Sequence, residues 1–136
     1  MLQIYNTLAA KKEILEPIKK GKINLFVCGP TVYDLSHIGH AKTYVFFDLF
    51  AKYLKEKGFK VFYLQNITDI DDKIIKRAAE KNTSPAKLAK EFEKAYLADA
   101  KKLGITSVDK YARATDYIKE IISQVKRLAQ KDLPTP

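Results

Sequence analysis

The chain has 136 residues, enough for one domain with a real core but few for an enzyme built of several domains, so a piece of a longer protein is considered from the outset. Its composition, 46% hydrophobic and 30% charged, is that of a soluble globular protein and excludes wholesale disorder. The net charge of +9 suits acidic company such as phosphate or nucleic acid; yet of the 25 basic residues only Arg77, Arg113 and Arg127 are arginine, so the dispersed lysines read first as a solvated face.

Met1 is not followed by a basic patch and a secretory core, and Lys, Asp or Gly interrupts every apolar run well before bilayer length. A cytoplasmic protein with no membrane partner is expected. Ile23 to Val27 form a short β-prone run closed by Cys28-Gly29-Pro30, which predicts a buried strand opening into a loop. Cys28 is the single cysteine, so no internal disulfide can form and its sulfur is left for metal or nucleophile chemistry. Beyond the loop, Ala41, Tyr44, Val45, Asp48, Leu49, Lys52 and Tyr53 recur at helical spacing, predicting a helix from about Ile38 to Lys57, capped by Ser36 or Asp34 and stopped by Gly58.

Lys60 to Asn66 is rich in β-branched and aromatic residues and completes a strand, crossover helix, strand unit of parallel, right-handed type. Thr68-Asp69-Ile70-Asp71 has capping-box spacing before Ile74, Ile75 and Ala78, predicting the start of a second helix. A third helix begins at Ser84-Pro85, carries Leu88, Phe92, Tyr96 and Leu103, and is stopped by Gly104. The last helix follows Thr115-Asp116, with Ile118, Ile121, Ile122, Val125 and Leu128 on one stripe, before Lys131 to Pro136 break it. The fold class is α/β, and only two clear parallel strands are read, fewer than a doubly wound sheet normally has; truncation within a larger fold accounts for the shortage.

The segment Ser36-His37-Ile38-Gly39-His40 sits where a strand's carboxyl end passes into a helix, the crevice in which open α/β sheets bind ligands and a helix N-terminus attracts phosphate. His37 and His40 can donate hydrogen bonds to phosphate oxygens during displacement at the α-phosphorus, and Gly39 lacks the side chain that would hold a flat adenine away. Two histidines three apart also suit a surface cap, or half of an unrelated zinc site. Asp69, Asp71 and Asp72 suggest magnesium but read first as dipole partners at a helix start.

The stretch from Phe26 to Tyr44, Phe-Val-Cys-Gly-Pro-Thr-Val-Tyr-Asp-Leu-Ser-His-Ile-Gly-His-Ala-Lys-Thr-Tyr, closely resembles the signature of cysteinyl-tRNA synthetases, class I synthetases with a Rossmann-type catalytic domain. The resemblance continues in Ile4 to Leu8, Tyr63 to Ile75 and Arg113-Ala-Thr115, in the family's order and over essentially the whole chain. It implies an incomplete Rossmann-type parallel sheet with flanking helices, residues 1–136 being the amino-terminal part of the nucleotide-binding catalytic domain. The remaining catalytic half and the anticodon-binding domain are absent from this sequence.

By the same resemblance, Pro30, Thr31, His37, Gly39 and His40 belong to the ATP motif, with His37 and His40 catalytic, and Thr68 helps line the cysteine pocket. A capping role for Thr68 stays open beside that one. The resemblance makes Cys28 a zinc ligand, where sequence context alone would also allow a small buried apolar residue. A soft sulfur ligand lets zinc prefer a cysteine thiolate to a serine hydroxyl. The family's other zinc ligands and its lysine-rich loop lie downstream of what is present here. The implied function is ATP-dependent activation of cysteine and its ligation to tRNA(Cys), with zinc as cofactor, magnesium accompanying ATP, and ATP, cysteine and tRNA as partners; this chain alone is expected to be inactive in full aminoacylation. Two alternatives are a cysteine ligase acting on an amino-sugar, as in mycothiol biosynthesis, and a non-catalytic nucleotide- or RNA-binding module.

Overall fold

The computed structural model describes residues 2–131, in two small sheets and four helices. Strands β1 (Gln3–Asn6) and β2 (Lys11–Ile14) form an antiparallel hairpin in which Gln3 faces Ile14 and Asn6 faces Lys11. This hairpin has no clear signal in the sequence. Its strands are four residues long, and the second is Lys-Lys-Glu-Ile, without the aromatic and β-branched enrichment that marks strands.

The second sheet positions the site. Strands β3 (Lys22–Val27), β4 (Lys60–Ile67) and β5 (Lys110–Arg113) are parallel, in the order β3-β4-β5, with Phe26 opposite Leu64 and Ile67 opposite Arg113. The expectation of two parallel strands is therefore corrected to three. Lys-Tyr-Ala-Arg is too short and too polar at its ends to announce β5, which the sheet fixes through pairing. Ahead of it, Asp109 Oδ2 accepts the Tyr63 N–H at 2.7 Å and the Asp109 N–H donates to the Tyr63 carbonyl at 2.9 Å.

Helix α1 (Ile38–Glu56) joins β3 to β4, while α2 (Asp72–Glu80) and α3 (Pro85–Lys102) join β4 to β5. Helix α4 (Ile118–Ala129) follows a short 3-10 turn at Ala114–Tyr117. Because β3 and β4 are parallel, α1 must run back along the sheet, which leaves its first turn toward the carboxyl ends of the strands.

The core lies on one face of the sheet. Tyr63, Gln65 and Ile67 alternate inward from β4 and meet Tyr44 and Ala51 of α1, Ile74 and Ala78 of α2, and Leu88, Phe92 and Tyr96 of α3. Each large apolar side chain so buried contributes roughly 1.5–3 kcal/mol. The other face is open, with Phe26 62% and Phe62 46% exposed.

The buried stripe of α1 is Tyr44, Asp48, Ala51 and Leu54, rotated from the expected one; Val45, Leu49 and Tyr53 are exposed. Asp48 is buried because its carboxylate accepts the N–H groups of Thr106 (2.9 Å) and Ser107 (2.7 Å) and pairs with Lys52 at 2.6 Å. Burial alone would raise its pKa; the Lys52 contact and the two amides outweigh that and hold it below the ordinary carboxylate value.

Two predicted caps move. The N-cap of α1 is His37, neither Ser36 nor Asp34: Asp34 instead accepts the Leu35 N–H at 2.8 Å and pairs with Arg77 of α2 at 2.7 Å. Helix α2 does not begin at Thr68; Asp71 is its N-cap and accepts the Lys73 N–H at 2.8 Å. Ser84 does cap α3, with Pro85 in its first turn. The stripe of α4 is solvated, Ile118, Ile121, Ile122, Val125 and Leu128 all being exposed. Asp132 to Pro136, expected to break the last helix, lie outside the described residues. Among the described residues no helix is long and apolar enough to cross a membrane.

Candidate functional site

The loop leaving β3 carries Cys28 to Ser36 and delivers His37 to the head of α1, where the two histidines close a reciprocal capping box. His37 Nδ1 accepts the Gly39 N–H at 3.1 Å, and His40 Nδ1 accepts the His37 N–H at 3.2 Å. A neutral imidazole has one bare nitrogen and one N–H, so accepting at Nδ1 fixes the hydrogen on Nε2 in both rings. Two of the amides expected to be free at this helix terminus are thus occupied, and each imidazole keeps an Nε2–H as a donor.

The rings support one another. The His37 and His40 centroids are 4.0 Å apart, His40 stacks over Tyr44 at 6.3 Å and 18°, and Tyr44 meets Tyr96 edge-on at 5.5 Å. Tyr96 in turn donates its hydroxyl to the buried Gln65 Oε1 at 2.7 Å, so a column of contacts runs from the helix head to the centre of β4. Burial, and then the neighbouring His37, hold the His40 pKa below its ordinary 6.5. Burial also raises Tyr44 and Tyr96 far above the ordinary phenol value and pushes Tyr63 up to about 12, so all three stay protonated. A cleft of about 320 Å³ opens beside the column, lined by His37, His40, Tyr44, Tyr96, Asp99 and Lys102 among others.

Gly39 has a reason to be glycine that the sequence does not disclose. A Cβ there would stand 2.8 Å from Cε1 and 3.0 Å from Nδ1 of His37, against the ring that caps the helix.

A second group gathers at the carboxyl ends of β3 and β4. Thr31 and Thr68 form an isolated parallel bridge: the Val32 N–H donates to the Thr68 carbonyl at 3.1 Å and the Thr68 N–H to the Pro30 carbonyl at 3.0 Å. This pairing draws Thr68 into the sheet's extension and overturns the capping role. Its hydroxyl instead accepts from Asn66 Nδ2 at 3.2 Å, and Asn66 Oδ1 accepts the Gly29 N–H at 2.8 Å. Cys28 is exposed and unpaired, its thiol making only a loose 3.8 Å contact with the Gly29 carbonyl.

The structure thus brings Cys28, Pro30, Thr31 and Thr68 together, and separately His37, Gly39 and His40; of these only His37 and His40 line the cleft. Asn66, Gly29 and Tyr44 escape the sequence reasoning as site residues. The one available signal for Asn66 is a strand-averse amide in a run of β-formers. The three aspartates have structural places: Asp71 caps α2, Asp72 lies in its first turn, and Asp69 accepts both the N–H (3.0 Å) and the hydroxyl of Thr115. Among the described residues no group of three or more His, Cys, Asp or Glu gathers to hold a metal ion. Cys28 is an open single donor and does not by itself make a zinc site, which takes about four.

Residues 14–134 match the family model described as the tRNA synthetases class I (C) catalytic domain. The chain is 54% identical over 128 residues to the cysteine–tRNA ligase of Thermoplasma volcanium, covering 94% of this chain and 28% of that protein. It is 50% identical over 130 residues to that of Pyrococcus horikoshii, covering 96% and 27%. The chain therefore spans little more than a quarter of the length of these curated relatives. Among solved structures it is similar to the Agrobacterium radiobacter K84 agnB2 LeuRS in its ternary complex with tRNA and LeuAMS, with a TM-score of 0.72 and 21% identity over 87% of this chain and 16% of that one. It is also similar to Mycobacterium tuberculosis methionyl-tRNA synthetase in complex with methionyl-adenylate, with a TM-score of 0.61 and 24% identity over 68% of this chain and 18% of that one. These two likenesses concern the fold.

Proposed function

The chain belongs to the family of class I (C) tRNA synthetase catalytic domains, and on that basis we propose that its protein activates cysteine with ATP and joins it to tRNA(Cys). The names of its curated relatives support the reading, and the 28% share of their length supports treating residues 1–136 as the amino-terminal part of a catalytic domain. The observation that carries the chemistry is the double-imidazole cap, which commits both Nδ1 atoms to the backbone and leaves two Nε2–H donors at the positive end of a helix.

In this reading the α-phosphate of ATP lies before α1. The cysteine carboxylate attacks the α-phosphorus and pyrophosphate leaves, while His37 and His40 hydrogen-bond the oxygens on which charge grows. A ribose hydroxyl of the tRNA then attacks the adenylate carbonyl and AMP leaves. No covalent bond to the protein forms in either step. Pro30 and Thr31 shape the loop beside the nucleotide, Gly39 keeps the helix head open to the adenine, and Thr68 contacts the cysteine substrate. Magnesium accompanies ATP.

Cys28 is the zinc donor in this reading, and its exposure at the end of β3 suits a site completed from outside this chain. When bound, zinc favours a soft thiolate over a hydroxyl. The test is cysteine-dependent ATP–pyrophosphate exchange and tRNA charging by the full-length protein. We expect exchange with cysteine and not serine, and losses on the order of a hundredfold in His37→Ala and His40→Ala. Exchange with another amino acid, or none at all, would overturn the reading.

A further inference from the structure

Asn66 carries an inference beyond this reading, although it rests on it for the identity of the substrate. The Gly29 N–H can meet only an acceptor, which fixes Oδ1 of the Asn66 amide toward Gly29 and turns Nδ2 toward Thr68. One side chain therefore holds the peptide after Cys28 on one side and the Thr68 hydroxyl on the other.

The backbone leaves little other freedom. The main chain of Thr68 is tied to Pro30 and Val32 by the bridge, so only rotation about its side-chain bond remains to place the hydroxyl. Among the described residues, Asn66 is the hydrogen-bond partner that selects that rotation. Gly29 lies so close to Asn66 that a Cβ on it would fall 1.6 Å from the Asn66 carbonyl oxygen. The end of β4 and the Cys28-Gly29 loop thus touch through both main chain and side chain at this one residue.

We propose that Asn66 is a positioning residue for cysteine, fixing the Thr68 hydroxyl and the Cys28-Gly29 peptide in a single relative geometry so that the amino acid's two ends are read together. It does not touch ATP. Its loss therefore weakens cysteine binding while leaving the helix head, and with it the nucleotide, in place.

The experiment uses the full-length protein and the variants Asn66→Ala, Asn66→Asp, Thr68→Ala and Asn66→Asp with Thr68→Ala. In ATP–pyrophosphate exchange, Asn66→Ala is expected to raise the KM for cysteine at least about tenfold while the KM for ATP stays within about twofold, since one lost positioning contact of this kind is worth a factor of ten or more. Asn66→Asp keeps the acceptor for Gly29 but loses the donor to Thr68, whose hydroxyl must then turn its own proton toward the carboxylate and away from the substrate; the effect on the KM for cysteine should all but vanish when Thr68 is already alanine. Hydrogen–deuterium exchange over residues 26–33 supplies a readout independent of activity, with faster exchange at Gly29 in Asn66→Ala and unchanged exchange in Asn66→Asp. Equal rises in both KM values, independent effects of Asn66→Asp and Thr68→Ala, or unchanged exchange at Gly29 in Asn66→Ala would each overturn the proposal. A wild-type protein inert toward cysteine would sink the functional reading instead, and the exchange arm would still decide whether Asn66 holds the loop.

Discussion

The backbone N–H of His37 donates to Nδ1 of His40 at 3.2 Å, while His37 Nδ1 accepts the N–H of Gly39, two residues on, at 3.1 Å. In both rings Nδ1 is thereby committed to the backbone, and the hydrogen stands on Nε2.

That arrangement makes the helix head sensitive to acid. The His40 pKa is lowered in the fold, first by burial and then by His37, so the unfolded chain binds a proton more readily than the native one. Its contribution is complete above the ordinary value of 6.5 and is lost as pH falls through the lower folded pKa. His40→Gln supplies a non-titrating capping acceptor at the same position. The fall in Tm of wild type below about pH 6.5 should exceed that of His40→Gln, measured by thermal unfolding from pH 5 to 8; parallel curves would contradict the cap.

Gly39→Ala isolates the second half of the box. In an ordinary helix the change would stabilise by about 0.5–1 kcal/mol. Here the new methyl meets the capping ring at 2.8 Å, and a displaced cap costs about 1 kcal/mol. The expected result is no gain in stability, together with weaker ATP binding; a stabilised variant with unchanged nucleotide affinity would disprove the crowding.

For Gly29→Ala the obstacle is main chain, since the added carbon would overlap the Asn66 carbonyl oxygen at 1.6 Å. Relief requires parting the ends of β3 and β4, at a cost of roughly 3 kcal/mol or more. Urea unfolding should show this, and a variant within about 1 kcal/mol of wild type would count against the close approach.

Tyr96→Phe removes the donor to the fully buried Gln65 Oε1. An orphaned buried acceptor costs about 1–3 kcal/mol, whereas replacing both partners by apolar groups is nearly neutral. Tyr96→Phe combined with Gln65→Leu should therefore recover much of the stability lost in the single variant, as measured by denaturant midpoints.

The central strand, crossover helix and strand were legible because Ile23 to Val27 is a β-prone run closed by Cys28-Gly29-Pro30 and Lys60 to Asn66 is rich in β-branched and aromatic residues, and α3 because Ser84-Pro85 is an unambiguous start. Strands β1, β2 and β5 were not, since segments of four residues carry almost no periodic signal and exist through pairing. The cap of α1 was hidden by propensity, which ranks Ser36 and Asp34 above any histidine; the signal that would have found it is that His37 and His40 occupy the first and last places of a capping box. Thr68 was misplaced for the converse reason. Its spacing to Asp71 fits a box, but the bridge to Thr31 claims its backbone first.

The double cap also bears on what the two nitrogen rings can bind. A divalent ion binds imidazole through a bare nitrogen lone pair, and in both rings that lone pair already points at a backbone amide. A metal ion could take His37 or His40 only by unwinding the first turn of α1 or stripping a second proton from the ring. The helix head is thereby a poor place for a metal ion, whereas the exposed thiol of Cys28 has no such competitor for its sulfur.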